Sequence, residues 1–178
     1  MNKIADIDSY GVVTAPATVQ IRRRLPGPIE RVWAYLTESD LRRQWLAAGD
    51  MTLEADAPFT LTWHNDTLTD PPGNKPEGFG TEHSMESRIT EIDPPNRLSF
   101  TWGGGSVTFE LKAQAGEVLL TLTHQRISDR PNMVMIGAGW HMHLDILVAK
   151  LTNGTTEPFW DGWERLKQDY EHRIPAQS

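Results

Sequence analysis

The sequence of 178 residues contains no cysteine, which excludes disulfide bonds, thiol nucleophiles and thiolate metal ligands. It also lacks an apolar run of about 18 residues, so we expect no membrane-spanning helix. Residues 1–11 carry no basic start followed by an apolar stretch, which argues against a secretory signal peptide. Together these absences predict a cytoplasmic protein.

Positive charge is also scarce. The chain has 17 Lys and Arg against 24 Asp and Glu, which gives a net charge of −7. The two tight basic runs are residues 22–24 and 42–43. The first lies on a strand-like segment, where alternate side chains point to opposite faces, so it does not form one patch. We therefore predict that the chain binds neither nucleic acid nor an anionic membrane.

Metal and cofactor motifs are incomplete in this sequence. His141 and His143 are two positions apart and project to different faces of a helix. His141 and Asp145 are four apart, but one histidine and one carboxylate do not make a metal site. The glycine run 103–105 is flanked by strand patterns and lacks the following helix of a phosphate-binding loop. We predict no bound metal and no cofactor.

Aromatic residues are the most informative feature that is present. Seven tryptophans accompany a hydrophobic content of 38%, enough for a substantial core. We predict a single domain over residues 1–178, with residues 1–16 as a loose leader. The indole rings either fill the core or line a pocket, and their number alone leaves both interpretations open.

Periodicity predicts the order of the elements. Residues 18–25 alternate as a first strand, and Ile29, Val32, Trp33 and Leu36 recur at helical spacing. A second short helix begins near Ser39, as N-cap, and carries Trp45. Further strands are predicted at 50–54, 59–63, 82–92, 98–102, 107–111 and 118–124. A long helix follows residue 131 and stops at 153–154, and an extra C-terminal helix covers 157–174.

This order predicts an α+β fold. Consecutive, tightly turned strands with one apolar face form an antiparallel meander, and that face must be covered. The long helix is the element available to cover it. Because a twisted sheet cannot meet a straight helix everywhere, we predict a ligand-sized gap between them. The apolar face of the extra helix packs on the sheet, caps the mouth of the gap, or rests on a second copy of the chain in a homodimer.

Four segments carry a resemblance to a known family. They are 25–33 (LPGPIERVW), 41–45 (LRRQW), 92–102 with IDPP and LSFTW, and 120–124 (LTLTH) followed by Gly139, Trp140 and Leu144. Their order and spacing resemble the START-like (SRPBCC) superfamily, in its activator of Hsp90 ATPase homologue-like (AHSA1-like) branch. The resemblance covers roughly residues 17–152. It implies a helix-grip fold, in which a curved antiparallel sheet wraps around a long C-terminal helix and two short helices follow the first strand.

The resemblance does not fix a function, because the superfamily includes lipid and polyketide binders, cyclases and a eukaryotic co-chaperone. Our first hypothesis is a binding protein for a small hydrophobic ligand, without committed catalysis. The second is a cyclase-like or hydrolase-like enzyme that acts on an aromatic or polyketide substrate with His124 as acid or base. The third is a co-chaperone-like protein-interaction module.

Candidate ligand-binding residues are those that periodicity places on inward faces or beside the predicted gap. They are Trp45, Phe59, Trp63, Met85, Phe100, Trp102, Phe109, His124, Trp140, His143, Leu144 and Leu147. His124 ends the last strand, where it contacts a ligand or is satisfied by a neighbouring polar group. His143 lies beside the apolar stripe of the long helix, with the same two interpretations open. Glu82, Glu86 and Arg88 share one face of a strand and are expected to be solvated.

Overall fold

The computed structural model describes residues 8–175, and the first seven residues of the predicted leader lie outside this range. Seven strands, four α-helices and one 3₁₀ turn are assigned within it. The strands are β1 Val12–Ala15, β2 Thr18–Pro26, β3 Pro58–Trp63, β4 His83–Asp93, β5 Arg97–Trp102, β6 Gly105–Gln114 and β7 Glu117–Gln125. The helices are α1 Ile29–Thr37, α2 Ser39–Arg42, α3 Arg130–Thr152 and α4 Phe159–Arg173, and the 3₁₀ turn is Asn65–Thr67.

The strands form one antiparallel sheet in the order β1-β2-β7-β6-β5-β4-β3. The predicted alternation is visible in β7, where Val118, Leu120 and Leu122 are fully buried and the residues between them are half-buried. Because buried residues recur at every second position, one face of the sheet is apolar, and this face packs toward α3. The predicted helix-grip fold is confirmed, and each large apolar side chain buried on this face contributes about 1.5–3 kcal/mol.

Helix α3 begins and ends at the residues that sequence signals indicate. Asp129 is the N-cap and its carboxylate accepts a hydrogen bond of 2.9 Å from the backbone N–H of Asn132. Asn153 adopts the left-handed conformation, with φ of 56°, and ends the helix before Gly154. Within residues 8–175, no helix combines the length and apolar character needed to cross a membrane.

Three local predictions differ from the structure. Helix α2 ends at Arg42, before Trp45, and its N-cap is Glu38. The Ser39 hydroxyl instead accepts a hydrogen bond of 2.9 Å from the backbone N–H of Gly49, across the loop. Residues 50–54, predicted as a strand, have irregular backbone. The common reason is that long-range contacts of α2 and its loop shape this segment more than local propensity does.

The predicted loose leader is held to the domain from residue 10 onward. Strand β1 pairs with β2, and the backbone N–H of Gly11 donates a hydrogen bond of 2.6 Å to the hydroxyl of Tyr170 on α4. The Tyr10 hydroxyl donates to a carboxylate oxygen of Asp169 at 2.8 Å. These partners lie 159 residues further along the chain, which explains why a local sequence pattern did not reveal them.

Replacing Tyr170 with Phe is expected to destabilise the protein by about 2 kcal/mol. Tyr170 is buried, and its hydroxyl bonds both the Gly11 N–H and Nδ1 of His141, at 2.9 Å. The variant leaves two buried polar groups without a partner. Urea unfolding measures the loss, and amide hydrogen exchange should show faster exchange at Gly11.

Tyr35→Phe is the matched control, because Tyr35 is only half-buried. We expect it to change the free energy of unfolding by less than about 0.5 kcal/mol. Equal effects of the two substitutions would contradict the role assigned to the Tyr170 hydroxyl.

Candidate functional site

The space between the sheet and α3 is filled by side chains. The Trp140 ring lies 5.2 Å from that of Trp102 and 5.8 Å from that of Phe109, measured between centroids. Trp45 packs edge-on against Phe109 at 6.3 Å, and Phe59 packs against Phe100 at 5.5 Å. Leu144 and Leu147 are also fully buried in this core. At the centre of the sheet, the residues predicted to line a gap therefore pack against one another.

His124 is part of this packed interior. Its Nδ1 accepts a hydrogen bond of 3.1 Å from the indole N–H of Trp140, so the proton of the neutral ring is on Nε2. Burial lowers the pKa of His124 to about 4, because the charged form loses its hydration. The histidine is therefore neutral at pH 7 and positions Trp140.

His143 lies on the other side of α3 and is also engaged. Its Nδ1 donates a hydrogen bond of 2.8 Å to the carbonyl oxygen of Trp45, and its ring packs 5.1 Å from that of Phe159 on α4. Burial lowers the pKa of His143 to about 4, although the bond to the carbonyl acts in the opposite direction. This side chain links α3 to the loop after α2 and to α4.

The apolar face of α4 is covered within the chain. Phe159, Trp160, Trp163, Leu166 and Tyr170 are all buried, and α4 packs against α3. The sequence analysis predicted that this face packs on the sheet, caps the mouth of a gap beneath α3, or rests on a second copy of the chain. The structure instead shows the face packed on α3, and Trp160 at its start also lines an open cleft elsewhere.

This cleft, which we call the aromatic cleft, lies at the β3–β4–β5 end of the sheet under the loop that precedes β4. Its volume is about 380 Å³. The residues that line it are Trp63, Asn65, Gly78, Phe79, Gly80, Thr81, Glu82, His83, Met85, Trp102 and Trp160. It is open to solvent and is separate from the packed space beneath α3.

Two pairs of rings form its apolar walls. Trp63 and Trp102, on neighbouring parts of the sheet, meet edge-on with centroids 5.4 Å apart. Phe79 of the loop lies 5.1 Å from Trp160, and its side chain is 38% exposed. His83, the cross-strand partner of Trp63, stacks on that indole at 5.6 Å. Trp63 and Trp160 are only 6% and 3% exposed and are also part of the core, so the aromatic surface of the cleft belongs mainly to Phe79 and the half-buried Trp102.

The charged lining of the cleft is acidic. Glu82 is its carboxylate residue, and the lining residues include neither Lys nor Arg. Asn65 Oδ1 is the fully buried side-chain oxygen or nitrogen that finds no hydrogen-bond partner within residues 8–175. Such an atom costs stability unless a ligand or water bonds it. This atom is an unsatisfied polar group beside the cleft, in a residue that lines it.

The wall formed by Trp160 is fixed by a carboxylate. Its indole N–H donates a hydrogen bond of 2.7 Å to Asp66 Oδ1, and Lys75 Nζ lies 2.9 Å from Asp66 Oδ2. The bonds from Lys75 and Trp160 lower the pKa of Asp66, which keeps it ionised. The backbone of Trp160 also bonds the carbonyl of Pro72 at 2.9 Å. The loop and α4 therefore hold each other in place.

Of the twelve predicted site residues, Trp63, Met85 and Trp102 line the aromatic cleft. The other nine lie elsewhere: Phe59 borders a groove beside β4, and Trp45, Phe100, Phe109, His124, Trp140, His143, Leu144 and Leu147 lie in the interior. Sequence reasoning did not select Asn65, Phe79 or Trp160 as binding residues. The signal for Phe79 was a large aromatic residue in a Pro- and Gly-rich loop of lid-like length.

A metal site is not suggested by the arrangement of ligating side chains. Across residues 8–175, no three His, Asp or Glu side chains come together in a metal-binding group. His141 Nε2 lies 3.4 Å from Asp145, and the same carboxylate binds Arg23 at 2.9 Å. This buried set links β2 to α3.

Comparison with known families now adds to the geometry. The model of the family described as activator of Hsp90 ATPase homolog 1-like protein matches residues 26–152. The chain belongs to this family. The match spans strands β3 to β7 and the long helix, whereas β1, nearly all of β2, α4 and the Trp160 wall lie outside the matched range. Comparison with curated proteins gives no match.

Solved structures show the same fold. The protein encoded by gene BPP1335 from Bordetella parapertussis is 33% identical, covers 99% of this chain and 97% of its own, and has a TM-score of 0.79. CalU16 from Micromonospora echinospora is 21% identical, with coverages of 95% and 98% and a TM-score of 0.66. A conserved protein of unknown function from Enterococcus faecalis is 19% identical, with coverages of 91% and 87% and a TM-score of 0.66. The last two likenesses show the fold alone.

Proposed function

We propose that this family member binds a small, largely apolar molecule in the aromatic cleft. The observation that carries the proposal is a solvent-open space of about 380 Å³ between the Trp63–Trp102 and Phe79–Trp160 ring pairs. Ligand sites in proteins usually occupy about 300–1,000 Å³ and combine apolar walls with a few polar groups. Asn65 and Glu82 are polar lining residues of this kind.

Binding without committed catalysis fits the interior histidines. A general base must reach the substrate and have a pKa near the working pH. His124 lies outside the cleft lining, its Nδ1 is bonded to Trp140, and burial lowers its pKa to about 4. These contacts argue against the cyclase-like or hydrolase-like alternative that used His124 as acid or base.

The remaining alternatives stay predictions. The family description names an activator of the Hsp90 ATPase, which supports a co-chaperone-like module as an alternative. No feature of the described surface singles out such a protein partner. The cytoplasmic location, the single-domain organisation and the homodimer also stay predictions of the sequence.

Titration with the uncharged fluorescent probe N-phenyl-1-naphthylamine tests the proposal. We expect saturable enhancement of the probe's emission, and quenching of tryptophan emission at the same concentrations. Phe79→Ala removes one wall of the cleft and should weaken binding about five- to tenfold, because it removes apolar area from the bound complex.

Met135→Ala is the matched control for this titration. Met135 lies on α3 outside the cleft lining, and its side chain is 41% exposed, close to the value for Phe79. We expect its affinity for the probe to equal that of the unchanged protein. Absence of saturable binding, or equal losses in the two variants, would refute the aromatic cleft as the binding site.

A further inference from the structure

We infer that the aromatic cleft recognises an organic cation, of the alkylammonium type, within the class of ligands proposed above. The inference rests on the proposed function and narrows it. It comes from two properties of the same lining: aromatic rings on both walls, and one acidic side chain with no Lys or Arg beside it.

The aromatic walls supply the first argument. The face of an indole or phenyl ring carries partial negative charge, and ammonium groups bind over it. Four such rings line the cleft, namely Trp63, Phe79, Trp102 and Trp160. The adjoining Trp163, 5.3 Å from Phe79, already holds a cation, because Lys167 Nζ lies 5.7 Å from its ring. The chain thus shows this type of contact next to the cleft.

Charge at the rim supplies the second argument. The Glu82 carboxylate has one oxygen 3.3 Å from His64 Nε2, and the side chain is 61% exposed. The nearby Lys75 is paired with Asp66, so it does not offset this charge within the cleft. An anionic ligand would meet Glu82 with no Lys or Arg among the lining residues. A cationic ligand meets the Glu82 carboxylate and no opposing Lys or Arg among the lining residues.

Three molecules of nearly the same shape and different charge test the inference. They are choline, the uncharged 3,3-dimethyl-1-butanol and the anionic 3,3-dimethylbutanoate, each used to displace N-phenyl-1-naphthylamine at constant ionic strength. We expect choline to displace the probe at a concentration about tenfold lower than the alcohol, and the carboxylate to be the weakest of the three.

Two variants locate the source of the selectivity. Selectivity is measured as the association constant of the alcohol divided by that of choline. Glu82→Gln removes the charge at constant volume, and Phe79→Leu removes the ring but keeps apolar bulk. Each should change the ratio about two- to fivefold toward the alcohol. Glu86→Gln is the control, because Glu86 lies on β4, four positions after Glu82 and outside the cleft lining, and it should leave the ratio unchanged.

The outcomes separate the two proposals. Probe binding that choline and the alcohol displace equally would overturn the cation inference and leave the proposed function in place. Failure of the probe to bind would overturn both. A choline preference that persists unchanged in both Glu82→Gln and Phe79→Leu would also overturn the inference, because the preference would then arise outside this cleft.

Discussion

Acidification from pH 7 to about pH 4.5 is expected to unfold the protein. His124, His141 and His143 are buried, and burial lowers their pKa values in the folded state to about 4, 3 and 4. In the unfolded chain a histidine has a pKa of about 6.5. Below that pH the unfolded state binds more protons than the folded state, so the free energy of unfolding falls as pH falls.

The expected loss is large because three histidines act together. Their stabilising contribution is fully present above pH 6.5 and disappears as pH approaches the folded-state values. Between pH 6.5 and pH 4.5 each histidine costs roughly 2–3 kcal/mol, and the sum of roughly 8 kcal/mol is comparable with the whole stability of a domain, about 5–15 kcal/mol. Asp145 acts in the opposite sense, because burial raises its pKa. One carboxyl group does not offset three histidines.

Urea unfolding at a series of pH values between 7.5 and 4.5 measures this dependence. His124→Phe removes one of the three groups and should give a shallower loss of stability below pH 6.5, from a lower value at pH 7. His172→Gln is the control, because His172 is exposed on α4. It should reproduce the pH profile of the unchanged protein. A free energy of unfolding that is flat between pH 7 and pH 5 would contradict the argument.

The fold was accessible from sequence because its signals are local. The period of two in β6 and β7, the Asp129 cap and the Asn153 stop are each decided by neighbouring residues. The four family-like segments gave the same result, and the family match over residues 26–152 confirms it. A fold can be predicted from sequence when strand periodicity, helix caps and turn residues all indicate the same structure.

The candidate site was harder to predict from the sequence, because its position depends on how completely side chains fill the interior. Periodicity correctly placed Trp140 and Phe109 on inward faces, but it does not report how much space their rings fill. The actual opening lies where the loop before β4 and the start of α4 come together, through Phe79 and Trp160. These residues are 81 positions apart, and a long loop has no period from which its position could be inferred.

In residues 36–49, too, the sequence pattern did not reveal which side chains are buried. This segment is also where we expect the second large effect of a substitution. Arg42 is 2% exposed, and its guanidinium donates to four carbonyl oxygens, those of Leu36, Thr37, Ala47 and Gly49. A sequence that reads Arg42-Arg43 suggests two solvated cations. Instead, one of them closes the loop that carries Trp45 into the core.

Replacing Arg42 with Met is expected to destabilise the protein by about 3–5 kcal/mol. Met retains much of the apolar stem but leaves four carbonyl oxygens without the donors that satisfy them. Burial already lowers the pKa of Arg42 to about 10, so part of the cost of desolvating its charge is recovered in the variant. The unsatisfied carbonyls still dominate, because two lie at the end of α1 and two in the loop packed against it, an arrangement that cannot turn all four toward water.

Arg42→Lys and Arg43→Met complete the test by urea unfolding. Lys keeps the charge, but its single ammonium group cannot bond all four carbonyl oxygens that surround the planar guanidinium. We therefore expect the free energy of unfolding to fall by an intermediate amount, about 2 kcal/mol. Arg43 is exposed, and its substitution should cost less than about 0.5 kcal/mol. If Arg42→Met were as mild as Arg43→Met, the loop would be held by the packing of Trp45 and Leu46 rather than by the guanidinium.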